Sequence, residues 1–256
     1  MTRPTEHGER YRAPALDKGL DILELLAGQP QGLTRAEIVK AMGRGPSEIY
    51  RMLERLVARH YVSRSPEGDR YALSLKLFVL AQQHPPMSRL AAQAMPVMQR
   101  FTQAAAQSCH LGVYDRGNVT IVAQAASPGH WGLSTRLGAR VSLVDTGSGH
   151  VLLAFQDEPV RRAMLAQHEP LEGEVPLAPA ALEALLKKVR RAGHWQGASR
   201  QAWGVTDISV PVLGPHGDAL AALTCPYVRR IDAHQGPDAQ ATRDLLQRAA
   251  ADLSIE

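Results

Sequence analysis

The sequence predicts an α+β protein of two domains. A small three-helix unit with a β-hairpin lies near the amino end; beyond a helical linker follows a larger α/β unit with a mainly antiparallel sheet. Three observations predict this. Residues 32–73 carry, in order, a capped short helix, a glycine turn, a proline-started helix and a hairpin. Residues 74–107 are rich in Ala, Leu and Gln and read as helix. From residue 108, strand patterns give way to three helical ones, and two more strand patterns precede a last helix; strands, then helices, then strands suggest an antiparallel sheet with helices on one face. At 256 residues the chain can bury two real cores.

The elements follow in order. Residues 1–14 are charged and polar, and read as a disordered arm whose Arg3, Arg10 and Arg12 stay solvated. A helix about 15–27, with Ala15, Leu16, Leu20, Leu23, Leu26 and Ala27 on one side, ends at Gly28-Gln29-Pro30. Thr34 and Glu37 have the spacing of a capping box for a helix about 35–41. After the turn 42–45, Pro46 opens a second helix where a missing N–H costs nothing. Its Ile49, Met52, Leu53, Leu56 and Val57 make one apolar stripe. The opposite face carries Ser47, Glu48, Tyr50, Arg51 and Arg55, groups able to reach phosphates and base edges. A strand from Tyr61-Val62, a turn at 66–69 and a return strand at 70–73 form a wing, with Arg64 and Arg70 flanking the turn. Residues 15–73 thus read as a winged helix-turn-helix that binds double-stranded DNA. The expected contacts are Arg44, Pro46, Ser47, Glu48, Tyr50, Arg51, Arg55, Arg64 and Arg70.

In the linker, 74–107, prolines 85, 86 and 96 interrupt the helical pattern. It reads as helices near 74–83 and 87–107, the second kinked or restarted at Pro96. Apolar residues at 75, 78, 79, 90, 94, 97, 98 and 101 are expected between domains or against a second subunit. In the domain 108–256, strands 109–114 and 119–126 flank the turn 115–118; helices follow near 146–156, 158–167 and 179–192; strands 205–213 and 219–226 and a helix about 237–252 close the chain.

Charge agrees with a polyanionic partner without demanding one: the net charge is +4. Between positions 44 and 64, five arginines (44, 51, 55, 59, 64) stand against Glu48 and Glu54, so the excess lies on the reading head. Cys109 and Cys225 are too few for a disulfide framework and read as buried, reduced side chains in a cytoplasmic protein. No stretch approaches the roughly 20 apolar residues of a membrane span, so no membrane partner is expected.

The chain resembles the IclR family of bacterial transcriptional regulators over about 15–252. The resemblance is carried by GRGPSEIYRML (43–53), GARVSLVDTGSGHVLLA (138–154), Gly193, GVTDISVPV (204–212) and the following Ala221-Ala222-Leu223-Thr224. It implies a helical linker that dimerises and a GAF/PAS-like C-terminal domain binding a small effector. It also implies a homodimer or homotetramer acting on promoter DNA as repressor or activator. No cofactor is expected, and no acid/base pair or nucleophile marks a catalytic site, so no catalysis is expected either. The effector site is implied to be a cup floored by the loop and helix start after GARVSL, with side chains from the last two strands. This points to Thr146, Gly147, Ser148, Gly149, Asp207 and Thr224.

The residues support such a cup independently. Gly147 and Gly149 permit close backbone approach, and the helix's first N–H groups suit a carboxylate or other anion, so an organic or aromatic acid is one expected effector class. Thr146 or Ser148 can equally serve only as the helix cap. The family's common residues differ at several positions: His where Val144 stands, Lys at His150, Cys at Asp207, an acid at Gly197 or Ala198, and a hydroxyl at Pro226. Asp207 reads either as a ligand contact or as a solvated strand residue. His110, His150 and Asp207 lack metal-ligand spacing. Trp131, Trp195 and Trp203 are core candidates first and pocket walls second, and the basic run 187–191 is a solvated helix face. A competing reading makes the protein a small-molecule enzyme or sensor whose helix-turn-helix serves only protein contacts.

Overall fold

The computed structural model describes residues 13–66, 68–83, 85–130, 132–229 and 236–254. The arm with Arg3, Arg10 and Arg12 and the Trp131 position lie outside the described residues. The fold divides into two compact units between Pro85 and Pro86.

The first unit contains α1 (Pro14–Ala27), β1 (Leu33–Thr34), α2 (Arg35–Met42), α3 (Pro46–Ala58), β2 (Val62–Arg64), β3 (Arg70–Leu73) and α4 (Lys76–Gln82). The capping box forms: Thr34 Oγ1 accepts from the Glu37 N–H at 3.3 Å, and the Glu37 carboxylate accepts from the Thr34 N–H at 2.7 Å. Gly43 closes α2 at φ 59°, a left-handed value that disfavours side chains. Pro46 then starts α3. Ile22, Leu26, Ile38, Ile49, Leu53, Val62 and Tyr71 form the core. The α1 side expected inward is partly wrong. Ile22 is fully buried, whereas Leu16 and Leu20 are 62% and 47% exposed, because the helix turns the Ile22/Leu26 stripe, not the Leu16/Leu20 one, toward α2 and α3. The wing gains a strand the sequence did not suggest: β1 pairs antiparallel with β3, giving the order β1-β3-β2.

In the second unit, α5 (Pro85–Ala105) precedes β4 (Cys109–Asp115), β5 (Asn118–Ala125), β6 (Arg140–Val141), α6 (Gly147–Ala154), α7 (Glu158–Ala166) and α8 (Pro179–Ala192). Then come β7 (Trp195–Ala198), β8 (Val205–Leu213), β9 (Ala219–Val228) and α9 (Ala239–Ala251). The six strands form one antiparallel sheet in the order β6-β5-β4-β9-β8-β7. The first hairpin and the last two strands are therefore joined through the β4–β9 pair. Helices cover both faces, not one. Leu111, Ile208 and Leu223 pack with Met98 and Phe101 of α5 and Leu246 of α9. Val119, Ile121 and Ala222 face Leu152 of α6, Met164 of α7 and Leu186 of α8.

The expected restart at Pro96 does not occur; α5 runs through it. Pro96 and Ala92 are exposed, so water can satisfy the Ala92 carbonyl that the proline leaves without its donor. Ala94, Val97, Met98 and Phe101 belong to the core of this unit and are not a surface awaiting a partner. Leu75, Phe78 and Val79, by contrast, are exposed.

Candidate functional site

On the reading head, α3 separates two chemistries. Ile49 and Leu53 are sealed in the core, with Met52, Leu56 and Val57 partly buried beside them. Arg44, Pro46, Ser47, Tyr50, Arg51 and Arg55 are exposed. The Arg35 guanidinium lies 5.3 Å from the Tyr50 ring centroid, which adds an uncounted positive charge to that surface.

Three of the expected contacts are already engaged inside the head. Glu48 accepts a hydrogen bond from Lys18 Nζ of α1, and that ammonium holds its carboxyl below the usual range. Arg70 donates to the carbonyls of Gln31 and Gly32 and lies 3.7 Å from Glu37, tying the wing to the start of α2. Arg64 donates to the Gly68 carbonyl across the wing turn. Among the described residues, the expected guanidinium groups outside such contacts are those of Arg44, Arg51 and Arg55.

The second site is a cavity of about 130 Å³ between the sheet and the first turn of α6. Five of the six expected residues line it: Thr146, Gly147, Ser148, Asp207 and Thr224. Gly149 does not. A Cβ there would sit 2.1 Å from the Leu143 carbonyl oxygen, so this glycine exists to let α6 pack on its own entry loop. Gly147 plays the matching role toward the sheet, where a Cβ would meet Trp195 at 2.4 Å and Ser209 Oγ at 2.6 Å. Thr146 is indeed the cap: its hydroxyl accepts from the Gly149 N–H at 3.1 Å and donates to the Ser142 carbonyl at 2.7 Å. Ser148, Thr224 and Ser209 form a hydroxyl chain with two 2.8 Å links. Asp207 is half-buried, and that burial raises its carboxyl above the usual range despite a Ser199 hydrogen bond.

Residues missed by sequence reasoning complete the walls. Leu133, Ser134 and Thr135 come from the loop before β6, and Ser199, Gln201 and Ala202 from the loop after β7. Such loops carry no periodic signal. Arg200 of the second loop pairs at 3.2 Å with Asp145, a buried carboxylate beside the α6 cap. Trp203, expected in a core, is fully exposed on that loop, while Trp195 meets His150 edge-on at 5.0 Å. Gly197 is the direct cross-strand partner of Asp207.

His110 also lines the cup, opposite Thr224 in the β4–β9 register. It is 6% exposed, and its Nδ1 has no hydrogen-bond partner. Burial pushes its pKa down to about 4 from 6.5. Between these values the unfolded chain binds a proton that the folded one does not. The corresponding stability is therefore intact above pH 6.5 and lost as pH falls toward 4, in all about 3 kcal/mol. Asp207, with its raised value, acts in the opposite sense; His150, also lowered by burial, acts in the same one. The imidazole's part is isolated by comparing His110→Asn with the parent. In urea unfolding, the loss of stability from pH 7 to pH 5 is expected to be about 2 kcal/mol smaller in the variant. An equal loss in both proteins would show that His110 carries no such linkage.

Comparison with known proteins identifies the two units. The profile described as the IclR helix-turn-helix domain matches residues 15–66, and that described as bacterial transcriptional regulator IclR C-terminal matches residues 87–255. The HTH-type transcriptional regulator KdgR of Escherichia coli is 27% identical over 215 residues, covering 82% of this chain and 80% of its own. The glycerol operon regulatory protein of Streptomyces griseus is 26% identical, covering 82% of both. Among solved structures, an IclR homolog from Microbacterium hydrocarbonoxydans complexed with 4-hydroxybenzoate shares the fold with a TM-score of 0.77 at 24% identity, covering 94% of this chain and 97% of its own. With profiles matched along both the reading head and the cup-bearing unit, the chain belongs to the IclR family of bacterial transcriptional regulators.

Proposed function

We propose that the exposed face of α3, led by Arg51 with Arg44 and Arg55, reads promoter DNA in the major groove. Ligand occupancy of the cup then sets how tightly it does so. One observation carries this reading: α3 turns its apolar stripe into the core, sealing Ile49 and Leu53, while presenting arginines, a serine and a tyrosine to solvent. A helix with that division can enter the groove without unfolding its own domain. Control by the cup is linkage. A ligand that binds two conformations of the C-terminal domain unequally shifts their populations, and with them DNA affinity.

The chain acts as a homodimer or a pair of dimers. Leu16 and Leu20 of α1 and Leu77, Phe78, Val79 and Leu80 of α4 are exposed, more apolar surface than a reading head needs for DNA. A second copy would cover it and present two heads to half-sites spaced about one helical turn apart.

The enzyme alternative finds less support. The Cys109 and Cys225 thiols lie in the opposite-face core, away from the cup, with Cys109 pushed up to about 12 and Cys225 well above 9 by burial; neither is poised as a nucleophile. A solved relative is described with 4-hydroxybenzoate bound, which favours an aromatic acid as effector. The lining of this cup favours another class, argued below.

The test is the salt dependence of operator binding by the full chain. Heads making several phosphate contacts lose affinity steeply as salt rises, with a log–log slope of about −0.9 per phosphate neutralised. A slope near zero in a fluorescence-anisotropy titration would reject the DNA-reading assignment and favour a protein-contact module.

A further inference from the structure

We propose that the cup selects a small uncharged polyol, held through neighbouring hydroxyls, over an organic acid. This rests on reading the cup as the effector site.

The size of the site comes first. A cavity of about 130 Å³ is of the size that holds a small organic molecule. The converging groups come next. Asp207 from β8 is an acceptor. Ser148 and Thr224 offer hydroxyls that donate and accept, and they are already ordered by the chain running through Ser209. The His110 imidazole from β4 also lines the cup. Burial keeps this ring uncharged, so it has one donor nitrogen and one acceptor nitrogen.

Charge separates the two ligand classes more sharply. Among the described residues, no lysine or arginine lines the cup. Arg200, on the neighbouring loop, is paired with Asp145. An acid would therefore lose its hydration beside Asp207 with no cation to compensate, and an unpaired charge out of water is costly. The anion-binding potential of the α6 start is reduced as well, because Thr146 occupies the Gly149 N–H. A polyol places a hydroxyl proton on Asp207 and keeps the remaining groups paired. A site built to hydrogen-bond hydroxyls discriminates strongly, since a ligand that leaves its polar groups unmatched loses their desolvation energy.

The test uses the full chain and matched pairs of probes: glycerol, erythritol and xylitol against glycerate, threonate and xylonate, with 4-hydroxybenzoate as the aromatic acid. Thermal unfolding gives the ligand response by mass action, and operator anisotropy is read in parallel. The expected result is a saturable rise in midpoint with at least one polyol, at tenfold or more lower concentration than its matched acid. Asp207→Asn and, as a second variant, His110→Asn should each weaken that response about tenfold. Polyols also stabilise proteins by being excluded from their surface. A rise that is linear in polyol and identical in both variants would be that effect alone and would overturn the proposal. A saturable response to an acid alone would overturn the polyol class, and if that acid changes operator affinity, effector control by the cup stands. Saturable polyol binding with unchanged operator affinity would keep the polyol class and overturn effector control.

Discussion

Gly149→Ala is expected to destabilise the protein by about 3 kcal/mol, a large part of the 5–15 kcal/mol typical of a folded domain. A Cβ at this position meets Leu143 at 2.1 Å from O, 2.5 Å from C and 2.7 Å from Cα. These are backbone atoms, and no side chain can swing aside to relieve the contact. Nor can α6 retreat, because all eight of its residues are buried between the sheet and its neighbouring helices, and close-packed interiors resist such shifts. Urea unfolding monitored by circular dichroism measures the cost. A midpoint equal to the parent's would mean that the entry loop 142–146 yields freely and that the glycine is not required by packing.

Arg51→Ala is expected to weaken operator binding by about 1–3 kcal/mol, while thermal stability stays unchanged because the side chain is exposed. Two outcomes distinguish how it acts. If the guanidinium bridges a guanine edge, the loss concentrates on one base pair of the operator and relaxes preference there. If it touches phosphate, the loss is uniform across sequences and the salt slope falls by about one. Unaltered affinity at fixed salt would remove Arg51 from the reading surface.

Much of this was legible in the chain. The Thr34/Glu37 pair, Pro46 and the 49–53–56–57 stripe are local signals, each set by a helix terminus or a helical period, and the folded head reproduces them. What depended on tertiary pairing was not legible. β1 and β6 are two residues long and exist only because a partner strand lies beside them. β7, Trp195–Ala198, contains a glycine and lacks alternation, and is held by its register with β8. Leu16 and Ile22 look alike as sequence; only the position of α2 and α3 decides which is inside. Pro96 reads as a kink or restart because a local rule cannot know that α5 continues past it. In the cup, the α6 start and the strand positions 207 and 224 were marked by motif. His110 was not, since its place opposite Thr224 follows from β4 pairing with β9, more than a hundred residues away.

The complete burial of α6 bears on which substitutions the cup tolerates. A helix with no solvent side cannot take added volume freely, so changes in the floor of the cup must respect its packing. The loops contributing Leu133–Thr135 and Ser199–Ala202 bear no comparable burden, and all but the half-buried Thr135, Ser199 and Ala202 of these are exposed. Substitutions at these rim positions are therefore expected to change the cup's lining at less cost to folding than substitutions in α6.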